Sequence, residues 1–405
     1  MKEIAVSNFG PIKDGFEDEM MPIYPVTLFC GDQGSGKSTM AKLISSFSWL
    51  EKALVRGDMT EQWITRYNRF VKKHCAYHNI QNYFKDDTRL IYKGDKYNFI
   101  YEGKKFKIEK VDNNHVFRMP QIMYIPAERN FMSVVEDAEK IRNLPHPLST
   151  MLAEYEKAKK NLVSKINLPI KGYSFQYDKL NKISWLVGDG FKLRLHEAAS
   201  GFQSLIPLIL VTRYLSNKIS GSEGNSYNKS SVEINARLEK RIRQLLLNEK
   251  LDEDIRNSLI SQLNVLYKND CLWNVVEEPE QNLYPNSQKF ILFELLSAFN
   301  AHAGNGLVIT THSPYILNYL TLAIKAASIH CKKEELEQRL ENIVPQRARV
   351  NSENVGIYEI DNDGKIRQLD KYLDIPSDEN FLNVSLRETN KLFDDLLEIE
   401  DLCAQ

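Results

Sequence analysis

The sequence has few cysteines, and none of them stands in a pairing pattern. Its 405 residues include 5 Cys, an odd number of widely spread positions without Cys-x-x-Cys spacing. This usage argues against a disulfide framework or a zinc site and favours a reducing compartment. The sequence also lacks an apolar run of about 18 residues and an apolar segment near its start. We therefore expect a cytoplasmic protein without a membrane partner.

An excess of charge of either sign is also missing. The chain carries 53 Lys and Arg against 54 Asp and Glu, a formal net charge of −1. Charge on the whole chain therefore gives no argument for nucleic acid, and any surface that binds polyanions has to be local. The length suits one large or two ordinary domains with a sizeable core. Apparent strands alternate with helices, which predicts a mostly parallel sheet with helices on both faces.

Glycine is concentrated in one short segment. Residues 31–39 read GDQGSGKST between an apolar strand, VTLFC, and a stretch with apolar residues at helical spacing. This context favours a phosphate-binding loop of the form GxxxxGK[ST] over a chance glycine-rich turn. Lys37 would reach the β- and γ-phosphates of ATP, and Ser38 would hold Mg²⁺. The predicted nucleotide ligands are Gly31, Asp32, Gln33, Gly34, Ser35, Gly36, Lys37, Ser38 and Thr39.

A second apolar strand ends in two carboxylates. Residues 271–278 read CLWNVVEE, and a later strand ends in TTHSP. An acidic pair after a strand usually lies in a solvated loop, but the following proline and the second strand favour a catalytic edge. Glu277 would bind Mg²⁺ directly or through water, Glu278 would deprotonate the attacking water, and His312 would contact the γ-phosphate. With Lys37, Glu278 and His312 form the predicted catalytic set.

A third segment, AASGFQS at 198–204, begins an apolar helix. It resembles the signature motif LSGGQ of ABC-type ATPases and keeps Ser200, Gly201 and Gln203, with Phe202 in place of the second glycine. In that family this loop reaches the γ-phosphate of ATP on a second subunit, so that ATP holds two heads together. The resemblance thus adds Ser200, Gly201 and Gln203 as nucleotide ligands. It also predicts a homo-oligomer, at least a dimer formed through the nucleotide sites.

The order of the motifs along the chain indicates one branch of the ABC-type ATPases. NFGPI, GDQGSGKST, YIPAERN, AASGFQS, VVEEPEQNLYP and VITTHSP resemble, in this order, the OLD-like branch of ABC ATPases, which neighbours the RecF and SMC heads. The resemblance implies an α/β fold, an ABC-type P-loop ATPase head with a mixed sheet and helical insertions. Glu277 stands where the family usually has Asp. Its longer side chain should still bind Mg²⁺, but turnover is expected to be slow.

The resemblance also implies a division of the chain. The ATPase head would span residues 1–325, with insertions at about 45–115 and 216–268. Residues 326–405 would form a packed extension with a hairpin and an acidic amphipathic helix. Packing is the ordinary explanation of that helix. Docking of a partner protein is the alternative.

One segment near the C-terminus has the spacing of a nuclease metal motif. Full OLD proteins continue into a Toprim nuclease with an Asp-x-Asp metal motif, a spacing that Asp361-Asn362-Asp363 shares. The Asp-Gly pair between two short strands favours a hairpin turn instead. The chain then resembles the sensor ATPases of bacterial anti-phage systems such as Septu, PARIS and the retrons. Those ATPases assemble as scaffolds and hold a separate effector, often a nuclease, until a phage trigger appears.

Two other classes of ATPase are alternatives for this chain, a DNA-repair head and a transporter subunit. A DNA-repair head of RecF or SMC type would bind duplex DNA across its dimer, and long coiled-coil arms would mark it. The helical stretches at 148–166 and 232–268 are short for such arms. A transporter subunit would place its acidic strand soon after the signature motif, whereas here a long segment separates the two.

Residues 60–110 are richer in basic and aromatic residues than the rest of the chain. They contain 12 Lys or Arg, 6 Asp or Glu and 11 aromatic residues. Nucleic acid is therefore one candidate partner of this region. The alternative is a small satellite core of aromatic side chains under a solvated basic face. The lysines that would contact nucleic acid are Lys72, Lys73, Lys104 and Lys105.

Overall fold

The computed structural model describes residues 1–403 except Asp18, Glu136, Lys171 and the segment 221–267, in which only Ile242 is described. Most of the insertion predicted at about 216–268, including most of the helical stretch at 232–268, therefore lies outside the described residues. Within the described part, no helix is long and apolar enough to cross a membrane.

Strands and helices alternate along parts of the chain, with runs of consecutive strands at 84–110 and 166–194. The strands are β1 Lys2–Phe9, β2 Gly15–Phe16, β3 Met21–Ile23, β4 Val26–Gly31, β5 Phe84–Lys93, β6 Tyr97–Glu102, β7 Lys105–Lys110, β8 Pro120–Ile125, β9 Ile166–Asn167, β10 Ser174–Asp178, β11 Ile183–Gly188, β12 Phe191–Arg194, β13 Cys271–Glu277, β14 Gly306–Thr311, β15 Val355–Ile360, β16 Lys365–Gln368, β17 Lys371–Tyr372 and β18 Ile375–Pro376. The α-helices of the described residues are α1 Lys37–Val55, α2 Glu61–Thr65, α3 Phe131–Val134, α4 His146–Asn161, α5 Ser200–Ser220, α6 Pro285–Asn300, α7 Pro314–Ala327, α8 Glu334–Ile343 and α9 Phe381–Cys403.

A seven-stranded sheet runs through the middle of the fold in the order β2-β16-β15-β4-β14-β13-β8. Five neighbouring strands, from β15 to β8, are parallel, and β16 is antiparallel to β15. Every residue of β4 and β14 is buried, as expected for parallel strands that are covered on both faces. The predicted α/β fold with a mixed sheet is confirmed.

The two faces of this sheet are covered differently. Side chains alternate between faces along a strand, so Leu28 and Ile309 pack with helices α4 to α8 in one hydrophobic cluster. Phe29 and Val308 point the other way, into a second cluster with α1 and the five-stranded antiparallel sheet β3-β1-β5-β6-β7. One face therefore carries a helix and a second sheet, where the sequence predicted helices alone.

Aromatic rings of the 60–110 region form much of this second cluster. Phe47 of α1 stacks at 5.7 Å from Phe70 and at 5.6 Å from Phe99, and Phe70 lies 3.9 Å from Phe106 between ring centroids. This packing supports the satellite-core interpretation. The four lysines named above are exposed, and nucleic-acid binding by them stays a prediction.

The C-terminal segment contributes to the central sheet. β15 pairs with β4 over its whole length, and the backbone N–H groups of Asp363 and Lys365 both donate to Asp361 Oδ1 at 2.9 Å. The hairpin-turn interpretation of residues 361–363 is therefore confirmed, because these contacts are those of a tight turn between two paired strands.

Helix α9 does not pack as predicted. Its first turn is held where Phe381 N–H donates to Glu359 Oε1 at 2.6 Å and Asn383 bonds Asn318, but every residue from Ser385 to Cys403 is exposed. The predicted packing of the acidic helix is thus corrected: the described residues offer its apolar stripe no surface beyond the first turn. Residues Leu392, Leu396 and Ile399 are 64%, 62% and 55% exposed.

Candidate functional site

The glycine-rich loop joins a buried strand to a helix, as the sequence predicts. β4 ends at Gly31 and α1 begins at Lys37. Gly31, Gly34 and Gly36 have φ values of 141°, 82° and 116°, which residues with a Cβ rarely adopt. Gly36 gives α1 no side-chain cap, so the N–H groups of its first turn have no capping acceptor and are directed toward the loop. Such a helix end is suited to an anion.

The loop is closely packed by two other turns. A Cβ atom on Gly31 would overlap the carbonyl oxygen of Ile360, and one on Gly36 would overlap the side chain of Ile12. Asn362 Nδ2 donates to Asp32 Oδ2 at 2.9 Å. The C-terminal hairpin therefore holds the first residues of the loop.

Lys37 is buried beneath the loop. Its Nζ donates to the carbonyl oxygens of Gly31 and Asp32 at 2.9 and 2.6 Å, and only 4% of the residue is exposed. Burial lowers the pKa of Lys37 to about 8, although the carboxylates of Glu278 and Asp32 act in the opposite direction. The ammonium group is therefore mostly charged at pH 7 and is satisfied by backbone oxygens that a phosphate could replace.

The other predicted nucleotide ligands of the loop differ in how far they are exposed to solvent. Asp32, Gln33 and Gly34 are exposed at the top of the loop, whereas Ser38 is half-buried and Thr39 is buried in the first turn of α1. Ser35 is 3% exposed, and its Oγ has no hydrogen-bond partner among the described residues. A buried hydroxyl without a partner is costly, so Ser35 is suited to donate to an incoming phosphate oxygen.

The predicted catalytic side chains meet at one edge of the sheet. β4, β14 and β13 are parallel neighbours, so their carboxyl ends lie side by side. Glu278 and His312 follow β13 and β14, and His312 Nε2 lies 3.6 Å from Glu278 Oε1. Burial and then the charge of Lys37 lower the pKa of His312, whereas the carboxylate of Glu278 acts in the opposite direction. The structure thus brings Lys37, Glu278 and His312 together.

Glu277 has the environment of a cation ligand. The residue is 6% exposed, its Oε2 accepts from the N–H of Ala127 at 3.3 Å, and its Oε1 has no hydrogen-bond partner among the described residues. Burial, and next to it the nearby Glu277 carboxylate, raise the pKa of Tyr124 well above its usual range. Mg²⁺ prefers one or two protein oxygens together with phosphate oxygens and water. The Glu277 carboxylate and the Ser38 hydroxyl fit that preference.

The backbone at Glu278 is strained. Its φ is 43°, a left-handed conformation that costs a residue with a Cβ about 1–2 kcal/mol. The N–H of Glu278 donates to Thr310 O at 2.9 Å, and its carbonyl oxygen accepts from Arg129 Nη2 at 2.6 Å. These contacts hold the turn that carries the carboxylate over the sheet edge. Strain of this kind is concentrated at functional sites.

Two residues of this site were not predicted from the sequence. Arg129, in the quoted motif YIPAERN, is fully buried. Glu280, in EEPE, accepts from Thr311 Oγ1 at 2.8 Å and from the N–H of His312 at 2.7 Å, which fixes the backbone of that histidine. Burial raises the pKa of Glu280. Their positions in the sequence could have identified them, because Arg129 follows β8 and Glu280 follows β13, the strand paired with β8.

The signature-like residues lie at the start of α5. Ser200 is exposed, and a Cβ on Gly201 would lie 2.7 Å from Asn282 O, so this glycine permits close packing on the loop after β13. Gln203 is 9% exposed, and its amide donates at 2.9 Å to the carbonyl oxygens of His196 and Ala198. The described contacts of this trio thus involve its own turn, that loop and Ser133 of α3, which donates to Gln203 O at 2.8 Å, and Lys37 is not among them.

Comparisons with family models and with curated proteins give no match. One similar solved structure is an SMC head bound to the C-winged helix domain of ScpA, with 8% identity, coverage of 92% of this chain and 98% of that chain, and a TM-score of 0.38. The SMC head domain from Thermotoga maritima is similar over 78% of this chain and 90% of its own, at 9% identity and a TM-score of 0.33. A dimeric bacterial ABC transporter cassette is similar over 92% of this chain and 100% of its own, at 11% identity and a TM-score of 0.23. These scores are low, and the function proposed below rests on the geometry of the site.

Proposed function

We propose that the chain is an ABC-type ATPase that binds ATP with Mg²⁺ and hydrolyses it at the site of Lys37, Glu278 and His312. The observation that carries the proposal is their meeting beside an uncapped helix N-terminus, at the carboxyl ends of three neighbouring parallel strands. A buried cation, a carboxylate and a helix N-terminus without a side-chain cap are parts that can position and stabilise a transferring phosphoryl group.

Each group has one task in this reaction. Lys37 exchanges the loop carbonyl oxygens for β- and γ-phosphate oxygens, and His312 contacts the γ-phosphate. Glu278 takes a proton from water while the water oxygen forms its bond to the γ-phosphorus and the bond to the β–γ bridging oxygen breaks, which releases ADP. Glu277 and Ser38 would hold Mg²⁺, which would supply positive charge for the phosphate oxygens.

We further propose that two heads pair through their nucleotide sites. Ser200 is exposed at the N-terminus of a 21-residue helix, a position that favours an anion. None of the described contacts of Ser200, Gly201 and Gln203 is with Lys37 of the same chain. A phosphate on a second copy of the chain is therefore the nucleotide contact that we assign to Ser200 and Gly201.

The finer role that we propose is that of a sensor and scaffold in anti-phage defence, in the cytoplasm, which controls a separate effector such as a nuclease. We keep residues 1–325 as the proposed ATPase head, with insertions at about 45–115 and 216–268, and 326–405 as an extension whose strand β15 completes the central sheet of the head. The support is the order of the sequence motifs together with the exposed apolar stripe of α9, which offers a surface for a partner protein.

Lys37→Ala tests the phosphate site. The substitution removes a charged hydrogen-bond donor worth about 1.5–3 kcal/mol, so we expect ATP affinity to fall roughly ten- to hundredfold. Equilibrium titration with a fluorescent ATP analogue measures the dissociation constant. Lys42→Ala, on the same helix but outside the loop, is the matched control and should bind like the wild type. Unchanged affinity in Lys37→Ala would show that the phosphates bind elsewhere.

A truncation after Asp378 tests the role of α9. We expect ATP turnover to stay within about twofold of the wild type, since no described residue of α9 is buried and the deletion removes one buried residue, Asn380, away from the nucleotide loop. Assembly, measured as mass by light scattering, should weaken. Full-length chains with Leu392, Leu396 and Ile399 replaced by Ser should behave like the truncation, whereas Glu398→Gln on the polar face should not. An insoluble truncated chain would instead support packing of the helix.

A further inference from the structure

We propose that Arg129 is a positioning residue for Glu278, fixing the backbone of the hydrolytic turn against helix α5. This inference rests on the proposed ATPase function and adds a residue that acts through Glu278 and does not contact the nucleotide.

The guanidinium of Arg129 joins three parts of the site. Its Nη2 donates to Glu278 O at 2.6 Å, and its Nη1 donates to Glu277 O at 2.7 Å and to Pro126 O at 3.3 Å. Its Nε donates to Ser204 O, in the first turns of α5, at 3.1 Å. One side chain therefore links the end of β8, the end of β13 and the helix that begins with Ser200.

The acceptors require the planar fork of an arginine. Four carbonyl oxygens from three segments lie around one fully buried side chain. A guanidinium presents five N–H donors in a fixed plane, whereas the ammonium of lysine is a single point with three donors on a flexible stem. A lysine could therefore keep the positive charge but could not reach Ser204 O and Glu278 O together.

The charge of Arg129 also suits its surroundings. The carboxylates of Glu280, Glu278, Glu277 and Glu128 act to keep the guanidinium charged, although burial lowers the pKa of Arg129 to about 10. It is therefore a cation at neutral pH. A cation placed behind the turn offsets the repulsion between carboxylates that lie close together at the sheet edge.

A second contact ties the same segment to α5. Ser133, in the short helix α3 that follows Arg129, donates from Oγ to Gln203 O at 2.8 Å. Consecutive carbonyl oxygens of α5, those of Gln203 and Ser204, thus bond to the segment after β8. Glu278 is left-handed, with φ at 43°, and its carbonyl oxygen is held by Arg129 and by the N–H of Gln281, which donates to it at 3.0 Å. Arg129 is the side chain among these contacts that opposes relaxation of the carbonyl toward an ordinary turn. We infer that loss of the Arg129 contacts displaces the Glu278 carboxylate from the attacking water.

Arg129→Lys is the test, measured by single-turnover hydrolysis and by ATP titration. We expect the chemical rate to fall about ten- to hundredfold, which is the effect of a displacement of roughly 1 Å. Affinity for ATP should stay within about threefold, because Lys37 and its loop are untouched. Arg213→Lys, an ion-paired arginine on α5 at Glu294, is the matched control and should leave the rate unchanged.

A double-mutant cycle separates positioning from general weakening of the fold. If Arg129 acts through Glu278, then Arg129→Lys should slow the Glu278→Gln enzyme by less than about threefold, because residues that act as one unit are not additive. An equal loss in both backgrounds would overturn the inference while leaving the ATPase intact. A Glu278→Gln enzyme as fast as the wild type would overturn the proposed function, and the inference with it. Thermal unfolding identifies variants that fail to fold, in which case Arg129→Gln replaces Arg129→Lys in the same cycle.

Discussion

Glu278→Gln is expected to bind ATP with nearly wild-type affinity and to hydrolyse it about 10²–10⁴ times more slowly, the contribution of a general base. Glutamine keeps the size of the side chain and its position near His312, but it cannot accept the proton of the attacking water. The glutamate side chain is 34% exposed, so the substitution leaves no buried group unsatisfied. The backbone at this turn suits glutamine as well as glutamate.

The same variant should accumulate as paired heads. Because ATP holds the two sites together until it is hydrolysed, sedimentation with ATP and Mg²⁺ should show a larger species in Glu278→Gln than without nucleotide. Glu294→Gln, which alters a carboxylate bonded to Arg213 away from the site, serves as the control and should hydrolyse ATP normally. Wild-type turnover in Glu278→Gln would overturn the proposed function, because hydrolysis is assigned to a site in which Glu278 is the base.

Ser200→Arg is expected to reduce turnover about 10²–10³-fold while each loop still binds ATP. Removing a donor that is aimed at the charge of the transition state has an effect of this size. Ser200 is exposed, so a lone head can hold an arginine there without a clash. In a closed pair, the same arginine would bring bulk and charge between Ser200 of one head and the γ-phosphate of the other.

The measurement compares the dissociation constant for ATP, turnover and sedimentation in Ser200→Arg. We expect binding like that of the wild type, slow turnover and no species that depends on ATP. Lys192→Arg, an exposed position on the preceding hairpin strand, is the control. Contacts elsewhere could keep heads associated, and turnover is therefore the deciding quantity. Normal hydrolysis by Ser200→Arg would exclude the paired-head arrangement, whatever the size of the oligomer.

The parts of the site that the sequence predicted are those encoded by contiguous residues. Gly31 to Lys37 lie between a buried strand and a helix, and the conformations needed there are set by glycines at fixed positions. Glu278 and His312 could be placed beside them because parallel strands align their carboxyl ends. This inference needs only the order of the strands, which the apolar runs reveal.

The parts that sequence reasoning missed depend on contacts between distant segments. Arg129 reads as a surface residue in a turn, since arginines are rarely fully buried, and the carbonyl oxygens that bind it come from residues 126, 204, 277 and 278. The packing of α9 was predicted from its apolar stripe, but a stripe reports only that a face is apolar and does not report what covers it. In the same way, periodicity could not tell that a second sheet covers one face of the central sheet.

The position of β15 has a consequence for synthesis on the ribosome. β4 lies between β14 and β15, so a strand made from residues 26–31 must wait for residues 355–360 before both its edges are paired. Pairing across such a separation in sequence is slow, and it leaves strand edges open in the growing chain. We therefore expect the nucleotide loop to mature late, after nearly the whole chain has emerged. A nascent chain that ends before Val355 should not retain ATP, which would keep unfinished heads from pairing with completed ones.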